Sequence, residues 1–395
     1  MARTLAPLAA VLLAAGLLAA CSSTSAQPAA STWTPKPDGC PAAAGKPVTL
    51  VVGARMGSQR PQLPDPIPAM IEQAMAAGQK VQLIRLDGEP SVVTTAQPSL
   101  TATNTAKREN DLKIAEKRFF EAVATLQPKA PEADVLGALT EAGGVTDEGG
   151  TVVVVDSGIA TAGQLTFRAK AMFGADPKDV ADSLFAQHQL PKLSKMSVVL
   201  VAPGKTAEPQ AELDHAQQEH IAAIWQAVAA RADAACTAVV PGQTHRDRFD
   251  TTVPVTTVDL PSDPPVNPCG TTVYDDSSAV GFVADQATFR DPDAAQRTLK
   301  QLVDKVSGQP VTMKLIGNTS SAGTSEPDRV ALSQQRAQAV KAVLVRLGVP
   351  DGRITAEGDG STGKYHAADR TANGSLDPVK ATANRSVVVE TSCSG

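Results

Sequence analysis

Short apolar runs alternate with amphipathic segments along the first part of the chain. Four apolar runs predict buried strands, at residues 48–52, 81–86, 151–155 and 197–201. Apolar residues at helical spacing predict two amphipathic helices, through Leu112, Phe119, Val123 and Leu126 and through Leu213, His220, Ile221, Ile224 and Val228. Continuous apolar strands separated by helices are typical of a mainly parallel sheet with helices on both faces. Residues 40–240 are therefore predicted to form a three-layer α/β domain.

A proline-rich stretch follows this predicted domain. Residues 241–268 contain six prolines and show no helical period. Proline clusters interrupt helices and central strands, so this composition favours a linker. We therefore expect a second domain to begin near residue 269.

The last part of the chain has a different order of elements. The pattern predicts a strand, a helix, a strand, a helix and two strands, at residues 279–284, 292–306, 311–317, 327–347, 353–358 and 386–391. Gly348 and Pro350 follow the second helix in the order expected beyond a helix C-terminus. Residues 269–395 are therefore predicted to form an α+β domain with the order βαβαββ.

The N-terminal segment is apolar and stops at a cysteine. Residues 5–20 are almost all Ala, Leu and Val and follow the basic Arg3. Their last three residues and the next one form the motif Leu18-Ala19-Ala20-Cys21. This segment resembles a bacterial lipoprotein signal with its lipobox. The resemblance implies that residues 1–20 are removed and that the sulfur of Cys21, the new N-terminus, carries a diacylglyceryl group. The alternative is a secretory signal with a coincidental cysteine.

A polar segment begins at Cys21 and leads to the predicted α/β domain. Residues 21–39 are rich in Ser, Thr, Ala and Pro, and such a composition buries too little apolar surface to fold. This segment is predicted to be a disordered tether. No later apolar run reaches the ~20 residues that a spanning helix needs, so the two acyl chains on Cys21 are the expected membrane anchor.

Composition restricts the possible functions. Apolar residues make up 42% of the chain and charged residues 19%, as in globular proteins. The formal net charge of −5 argues against a general attraction to nucleic acid. The sequence contains no glycine-rich phosphate loop, Gly-x-Ser-x-Gly elbow or Cys/His nucleophile pattern, and its histidines lack metal-site spacing. We therefore expect no enzyme activity, no cofactor and no metal.

Four cysteines remain once Cys21 is assigned to the lipid. These four, Cys40, Cys236, Cys269 and Cys393, can pair in three ways. Sequential pairing would join Cys40 to Cys236 and Cys269 to Cys393, so that each bond closes one predicted domain. An exported protein meets an oxidising compartment that permits such bonds. We favour the sequential pairing; the alternative is that some thiols stay free and buried.

The C-terminal segment carries several landmarks of one family in the right order. They are Ile316-Gly317-Asn318-Thr319-Ser320 with Gly323, Leu332-Ser333-Gln334-Gln335-Arg336-Ala337, Leu347-Gly348-Val349-Pro350, Ile354 with Glu357-Gly358-Asp359-Gly360, and Asn384-Arg385. Residues 279–391 resemble the OmpA-like peptidoglycan-binding domain. The resemblance implies a βαβαββ fold whose pocket binds the diaminopimelate part of a peptidoglycan stem peptide, without covalent chemistry.

The resemblance also implies roles for particular residues. In that family an Asp after the second strand meets the ammonium of the stem peptide, and the Arg of the Leu-Ser-x-x-Arg-Ala segment meets its carboxylate. Arg336 fits the second role, since a guanidinium matches a carboxylate. Ser320 stands at the Asp position, Arg329 stands where Asn is usual, and Ser386 replaces the second Arg of the ending.

Two interpretations of these departures stay open. In the first, Glu326 or Asp328 on the altered loop replaces the lost carboxylate, and Asn318, Ser320, Arg329, Arg336 and Arg385 complete a peptidoglycan site. In the second, the domain is a scaffold that has lost its ligand. Arg336 and Arg385 would then be arginines that only pair with a nearby acid or solvate a strand edge.

The predicted α/β domain resembles von Willebrand A-type domains in its order of strands and helices, but it lacks their metal motif. Those that bind metal carry Asp-x-Ser-x-Ser after the first strand, because the ion needs oxygen ligands at fixed spacing. Residues 53–58 read Gly-Ala-Arg-Met-Gly-Ser here. Asp156-Ser157-Gly158 is the best remaining polar cluster at a strand end, and we expect Asp156 to cap the following turn.

These observations favour an exported, lipid-anchored cell-envelope protein. Its OmpA-like domain would bind the peptidoglycan stem peptide and so tether a membrane to the wall. The alternative is an envelope assembly protein whose α/β domain binds a protein partner and whose OmpA-like domain no longer binds peptidoglycan.

Overall fold

The computed structural model of the chain describes residues 40, 45–59, 61, 63–99, 101, 104–242 and 249–393. The predicted signal segment, Cys21 and the predicted tether lie outside the described residues. The described residues build two β-sheets, each with its own helices. We call the first sheet with its helices the first unit, or α/β unit, and the second sheet with its helices the second unit, or C-terminal unit.

The first sheet is mainly parallel. Within the described residues it has six strands, β1 Val48–Val52, β2 Val81–Arg85, β3 Ser91–Ala96, β4 Thr151–Val155, β5 Ser197–Val201 and β6 Cys236–Val240. Their order is β3-β2-β1-β4-β5-β6, and only the pair β2 and β3 is antiparallel. Every residue of β1, β2 and β4 is buried, which explains why these strands are mostly apolar, although β2 also buries Gln82 and Arg85.

Helices cover both faces of this sheet. They are α1 Ile67–Ala76, α2 Thr105–Ala124, α3 Val135–Val145, α4 Pro177–Ala186 and α5 His215–Arg231, with a short 3-10 helix at Lys170–Gly174 before α4. The core under α1 and α2 contains Val153 and Val155, and the core under α3, α4 and α5 contains Val152 and Val154. Alternate residues of β4 thus enter opposite cores, which confirms the predicted three-layer α/β architecture.

The second sheet is mixed. The described part of the chain contributes four strands to it, β7 Thr271–Asp275, β8 Val311–Gly317, β9 Ile354–Gly358 and β10 Ser386–Cys393, in the order β7-β10-β8-β9. Strand β10 is antiparallel to β7 and β8, whereas β8 and β9 are parallel. The helices are α6 Pro292–Val306, α7 Glu326–Arg346 and α8 Pro378–Asn384. Leu299 and Leu302 of α6 and Val340 and Leu344 of α7 fill the core.

Two elements of this second unit differ from the sequence prediction. The predicted strand at 279–284 is wrong: the first strand is β7, and Phe282 forms only an isolated bridge with Phe289. Val280 and Phe282 are buried from turns rather than from a strand, so their apolar character was misleading. Helix α8, which Asp377 caps, also interrupts the predicted pair of final strands.

Two disulfides connect distant parts of the chain. Cys40 is bonded to Cys236 at the start of β6, and Cys269 is bonded to Cys393 at the end of β10. The Cα atoms are 5.4 Å apart in both pairs. This is the sequential pairing that the sequence favoured.

The described part of the proline-rich segment has no helix or strand, but it packs against the folded units. Val258 is buried in the core under α3, α4 and α5, and its backbone exchanges two hydrogen bonds with the Gln210 side chain. Val266 packs against the core of the second sheet. Its described residues around Val258 and Val266 therefore pack against the folded units rather than extending freely into solvent.

Among the described helices, none combines the length and the apolar character that crossing a membrane requires.

Candidate functional site

The residues that the family resemblance singled out gather at the carboxyl end of β8. Helix α7 crosses this end very closely. If Gly317 carried a Cβ atom, that atom would lie only 1.9 Å from the backbone oxygen of Ser333. Gly358, at the end of β9, would likewise meet the backbone nitrogen of Gln334 at 2.3 Å. The two glycines thus permit contact between helix and strand ends, and this contact sets the position of Arg336, which follows Ser333 by one helical turn.

Arg336 is buried and held by backbone carbonyl groups. Its Nε donates to the carbonyl oxygen of Gln286 at 2.9 Å, and its guanidinium lies 5.1 Å from the centre of the Phe282 ring. Burial lowers the pKa of Arg336, and the nearby carboxylate of Asp276 opposes that effect. A guanidinium is always charged in proteins, and in surroundings that are partly shielded from water it would bind a carboxylate ligand more strongly than in water.

Ser320, which the sequence resemblance predicts to stand at the Asp position, is 4% exposed, and a carboxylate lies beside the next residue. The Asp369 carboxylate accepts from the backbone nitrogen and the hydroxyl of Ser321, at 2.8 and 2.5 Å, and from the Asn384 side chain at 3.0 Å. Burial alone would raise the pKa of Asp369, but these hydrogen bonds outweigh it and hold the pKa below its usual value. A charged acid is therefore present next to Ser320, although its oxygens are engaged within the protein.

Asn318 joins β8 to the start of β10. Its backbone nitrogen donates to the carbonyl oxygen of Ser386 at 2.8 Å, and its side-chain nitrogen donates to the carbonyl oxygen of Ile316 at 3.3 Å. Its side-chain oxygen is buried and has no hydrogen-bond partner among the described residues. Asn318 therefore mainly fixes the strand ends around the site.

Glu326, Asp328 and Arg329 lie in the first turn of α7. The Glu326 carboxylate accepts from the backbone nitrogen and hydroxyl of Ser361, at 2.8 and 2.6 Å, and from Arg329 at 2.9 Å. Burial alone would raise the pKa of Glu326, but these hydrogen bonds outweigh it and lower the pKa. Asp328 is exposed and accepts from the Ser325 hydroxyl at 2.6 Å. Both acids that could replace the missing Asp are thus engaged in local contacts.

Arg385 forms an ion pair with an acid of the first unit. Its guanidinium bonds to the carboxylate of Asp179 in α4, 206 positions earlier in the chain. The two side chains are only 13% and 18% exposed. Burial raises the pKa of the Asp179 carboxyl, and the charge of Arg385 offsets this only in part. Arg385, a candidate site residue from the sequence, is therefore already paired with a carboxylate of the protein itself.

Further charged groups lie near this pair, namely the buried Asp276 and the exposed Arg290. Arg290 bonds to the backbone oxygen of Asp276, and the side chain of Asp276 accepts from the backbone nitrogen of Phe282 at 3.1 Å. His220 of α5 faces this region: burial and the charge of Arg290 lower its pKa, and a hydrogen bond to the Ala175 backbone opposes them. Arginines 290, 336 and 385 thus share one region with carboxylates from both units.

The polar cluster of the first sheet is closed by the protein itself. Asp156 accepts from the backbone nitrogen of Gly158 at 2.7 Å, as expected for an Asp that caps a turn. The guanidinium of Arg55 also binds this carboxylate and contacts Ser157. Within the described ranges, no group of three His, Cys, Asp or Glu side chains could hold a metal ion.

Sequence reasoning missed two residues of the site, Asp369 and Asp179. Asp369 lies in an irregular loop between β9 and α8, where no periodic pattern indicates which side chains turn inward. Asp179 belongs to a helix of the other unit. The Asp176-Pro177 cap did predict that α4 would begin there, and Asp176 accepts from the backbone nitrogen of Lys178 at 2.8 Å. Contact between α4 and Arg385 leaves no signal in the sequence.

Comparison with known proteins defines the class of the C-terminal unit. Residues 282–375 match the model of the OmpA family. The C-terminal unit is therefore an OmpA-family domain.

One curated relative and two solved structures illustrate the likeness. The chain is 40% identical over 107 residues to Outer membrane protein A of Bordetella avium, which covers 25% of this chain and 52% of that protein. The chain thus spans about half the length of this relative. The peptidoglycan-associated lipoprotein from Burkholderia pseudomallei is 27% identical, with 28% of this chain and 86% of that chain covered and a TM-score of 0.23. The cell wall anchor of the T6SS from Pseudomonas aeruginosa is 20% identical, with 32% and 81% covered and a TM-score of 0.24.

Proposed function

We propose that this is a lipid-anchored protein of the cell envelope that binds peptidoglycan noncovalently through its OmpA-family domain. Cys21 carries the lipid, and the domain reaches the wall, so that the protein tethers a membrane to peptidoglycan. The C-terminal disulfide fits an exported protein, because such bonds form in oxidising compartments.

One observation carries the proposal: Arg336 lies within the residues that match the OmpA family, one helical turn after Ser333, which contacts the end of β8. A guanidinium that is largely shielded from water binds a carboxylate ligand favourably. The diaminopimelate part of a stem peptide offers a carboxylate and an ammonium group. The lowered pKa of Asp369 keeps a negative charge near Ser320, where an ammonium group would be bound.

The test is co-sedimentation of the full-length protein, in detergent, with peptidoglycan sacculi. Arg336→Lys keeps the positive charge and removes the guanidinium fork, and we expect it to bind about tenfold or more weakly. Arg346→Lys, at the exposed end of the same helix, is the matched control and should bind like the unaltered protein. Equal binding by both variants, each with an unchanged unfolding midpoint, would contradict the proposal.

A second candidate function has specific support. Ser320 replaces the family's Asp, and Arg385 is matched with Asp179 inside the protein. Both observations favour an envelope assembly protein whose OmpA-family domain acts as a scaffold and whose α/β unit binds a protein partner. Failure of the folded, unaltered protein to sediment with sacculi would favour this candidate.

A further inference from the structure

The beginning of α4 lies against the end of α8, beside the candidate site. The ion pair between Asp179 and Arg385 joins the two helices. The short 3-10 helix before α4 continues the contact: a Cβ on Gly174 would lie 2.4 Å from the backbone oxygen of Asp276 and 2.7 Å from the Cα of Ser277. Close backbone packing therefore surrounds the ion pair.

Helix α8 is also attached to the first unit by apolar contact. Val379, in the first turn of α8, packs against the core under α3, α4 and α5. Arg385 directly follows the helix, and Asn384, its last residue, binds Asp369 in the site. Any movement of α4 relative to α8 would thus change the surroundings of both Arg385 and the Asp369 carboxylate.

The Arg385 guanidinium is only partly satisfied in this arrangement. One of its terminal nitrogens bonds to Asp179, whereas the other, Nη1, is buried with no hydrogen-bond partner among the described residues. A guanidinium binds a carboxylate best through two parallel hydrogen bonds. The internal pair is therefore a weaker match than a carboxylate that engages both nitrogens.

We infer that Asp179 is an internal competitor for the ligand of the OmpA-family domain. In the closed state α4 holds Arg385 through Asp179, and a stem-peptide carboxylate binds Arg385 only when α4 has moved away. This inference rests on the proposed function and adds a regulation of the same site. It assigns to the α/β unit the role of covering the ligand-binding face.

The energetics of the Asp179–Arg385 pair permit a ligand carboxylate to replace Asp179. Removing two charges from water offsets most of their mutual attraction, so a buried ion pair adds little net stability. The raised pKa of Asp179 agrees with this, because burial disfavours its carboxylate more than Arg385 stabilises it. Many stem peptides on one sacculus also compete at a high local concentration. Because the ligand carboxylate takes the place of Asp179 beside Arg385, the guanidinium is not left without a partner, and the displacement does not require either unit to unfold.

The experiment compares two neutralised acids on the same face of α4. Asp179→Asn removes the competing charge. Asp182→Asn is the matched control, since Asp182 lies less than one turn further on and bonds to Lys178 and Arg231 within the first unit. Binding of the full-length proteins to sacculi is measured by sedimentation over a range of sacculus concentrations. We expect Asp179→Asn to bind about tenfold more tightly than the unaltered protein, and Asp182→Asn to bind like it.

Asp179→Ala serves as a second test, because an Asn side chain can still accept a hydrogen bond from Arg385. It should bind at least as tightly as Asp179→Asn. Hydrogen exchange measured without peptidoglycan supplies a readout that does not depend on the ligand. Amides of α8 should exchange faster in both Asp179 variants and at the unaltered rate in Asp182→Asn.

The outcomes separate this inference from the proposed function. If the unaltered protein and both folded Asp179 variants bind sacculi equally, the competition is refuted and the proposed function stands. If none of them binds while exchange in α8 still accelerates, peptidoglycan is not the ligand, and the competition for it is refuted together with the proposed function.

Discussion

The guanidinium of Arg55 and the carboxylate of Asp156 form a buried ion pair with two hydrogen bonds, of 2.6 and 2.9 Å. The pair lies beyond the carboxyl ends of β1 and β4, the neighbouring strands from which the chain proceeds in opposite directions across the sheet. Open α/β sheets usually bind ligands at such a point. Here the protein supplies both the cation and the anion.

Loss of one member of this pair is expected to be strongly destabilising. Removing one partner leaves the other charge buried and uncompensated, so Arg55→Ala should lower the free energy of unfolding by about 3–5 kcal/mol. Urea unfolding followed by circular dichroism measures this loss. Arg55→Met combined with Asp156→Leu removes both charges and should be less destabilising than Arg55→Ala. A double variant that is less stable than Arg55→Ala would contradict this prediction, because the cost would then not come from the uncompensated Asp156 charge.

The Asp369 network predicts a dependence of stability on pH. The pKa of Asp369 in the folded protein lies below its usual value, so the contribution of its charge is present above that usual value and is lost as the pH falls through the folded pKa. At pH 7 Asp369→Asn should be less stable by about 1–3 kcal/mol, because one amide cannot accept every hydrogen bond that the carboxylate accepts. This difference should shrink on acidification below pH 4. A difference that stays constant between pH 7 and pH 3 would contradict the role of the charge.

The disulfide between Cys269 and Cys393 is expected to stabilise the second unit. It closes a loop with a sequence separation of 124. In the chain-entropy model such a loop corresponds to about 4–5 kcal/mol of stability. Replacement of both cysteines by Ser should therefore shift denaturant unfolding of this unit to lower urea. Peptide mapping without reduction checks the pairing itself, and a peptide linking Cys40 to Cys269 would contradict it.

The anchor at Cys21 is tested by fractionation. Cys21→Ala removes the sulfur that would carry the diacylglyceryl group, so the variant should leave the membrane fraction. Ser22→Ala, which leaves the cysteine in place, is the matched control and should stay with the membrane. Retention of Cys21→Ala in membranes after a high-salt wash would show that another part of the protein holds it there.

The hydrophobic pattern predicted the regular elements well where local and tertiary signals agree. Helix α6 begins and ends where the sequence predicts, because Asp291 and Pro292 start it and its apolar face meets the core. Gly348 follows α7 with a φ of +103°, which glycine adopts readily. Strand β7 was missed because only Thr272 and Tyr274 of its five residues are buried. Its pattern is too short to stand out.

The candidate site was only partly predictable. Arg336 could be found because a sequence motif surrounds it, whereas the contact of Arg385 with Asp179 depends on how two separate units pack. No periodicity relates residues that are 206 positions apart. Asp369 escaped prediction for a similar reason, since an irregular loop brings it to Ser321. Local patterns thus define elements, and tertiary packing decides which charges meet.

The most direct test of peptidoglycan recognition is displacement of the full-length protein from sacculi by a soluble stem peptide. Two peptides are compared, one with a free diaminopimelate carboxylate and one in which that carboxylate is amidated. Recognition by a guanidinium predicts that the free peptide displaces the protein at a concentration about tenfold or more below that of the amidated peptide. Equal displacement by the two peptides, or none by either, would contradict the account.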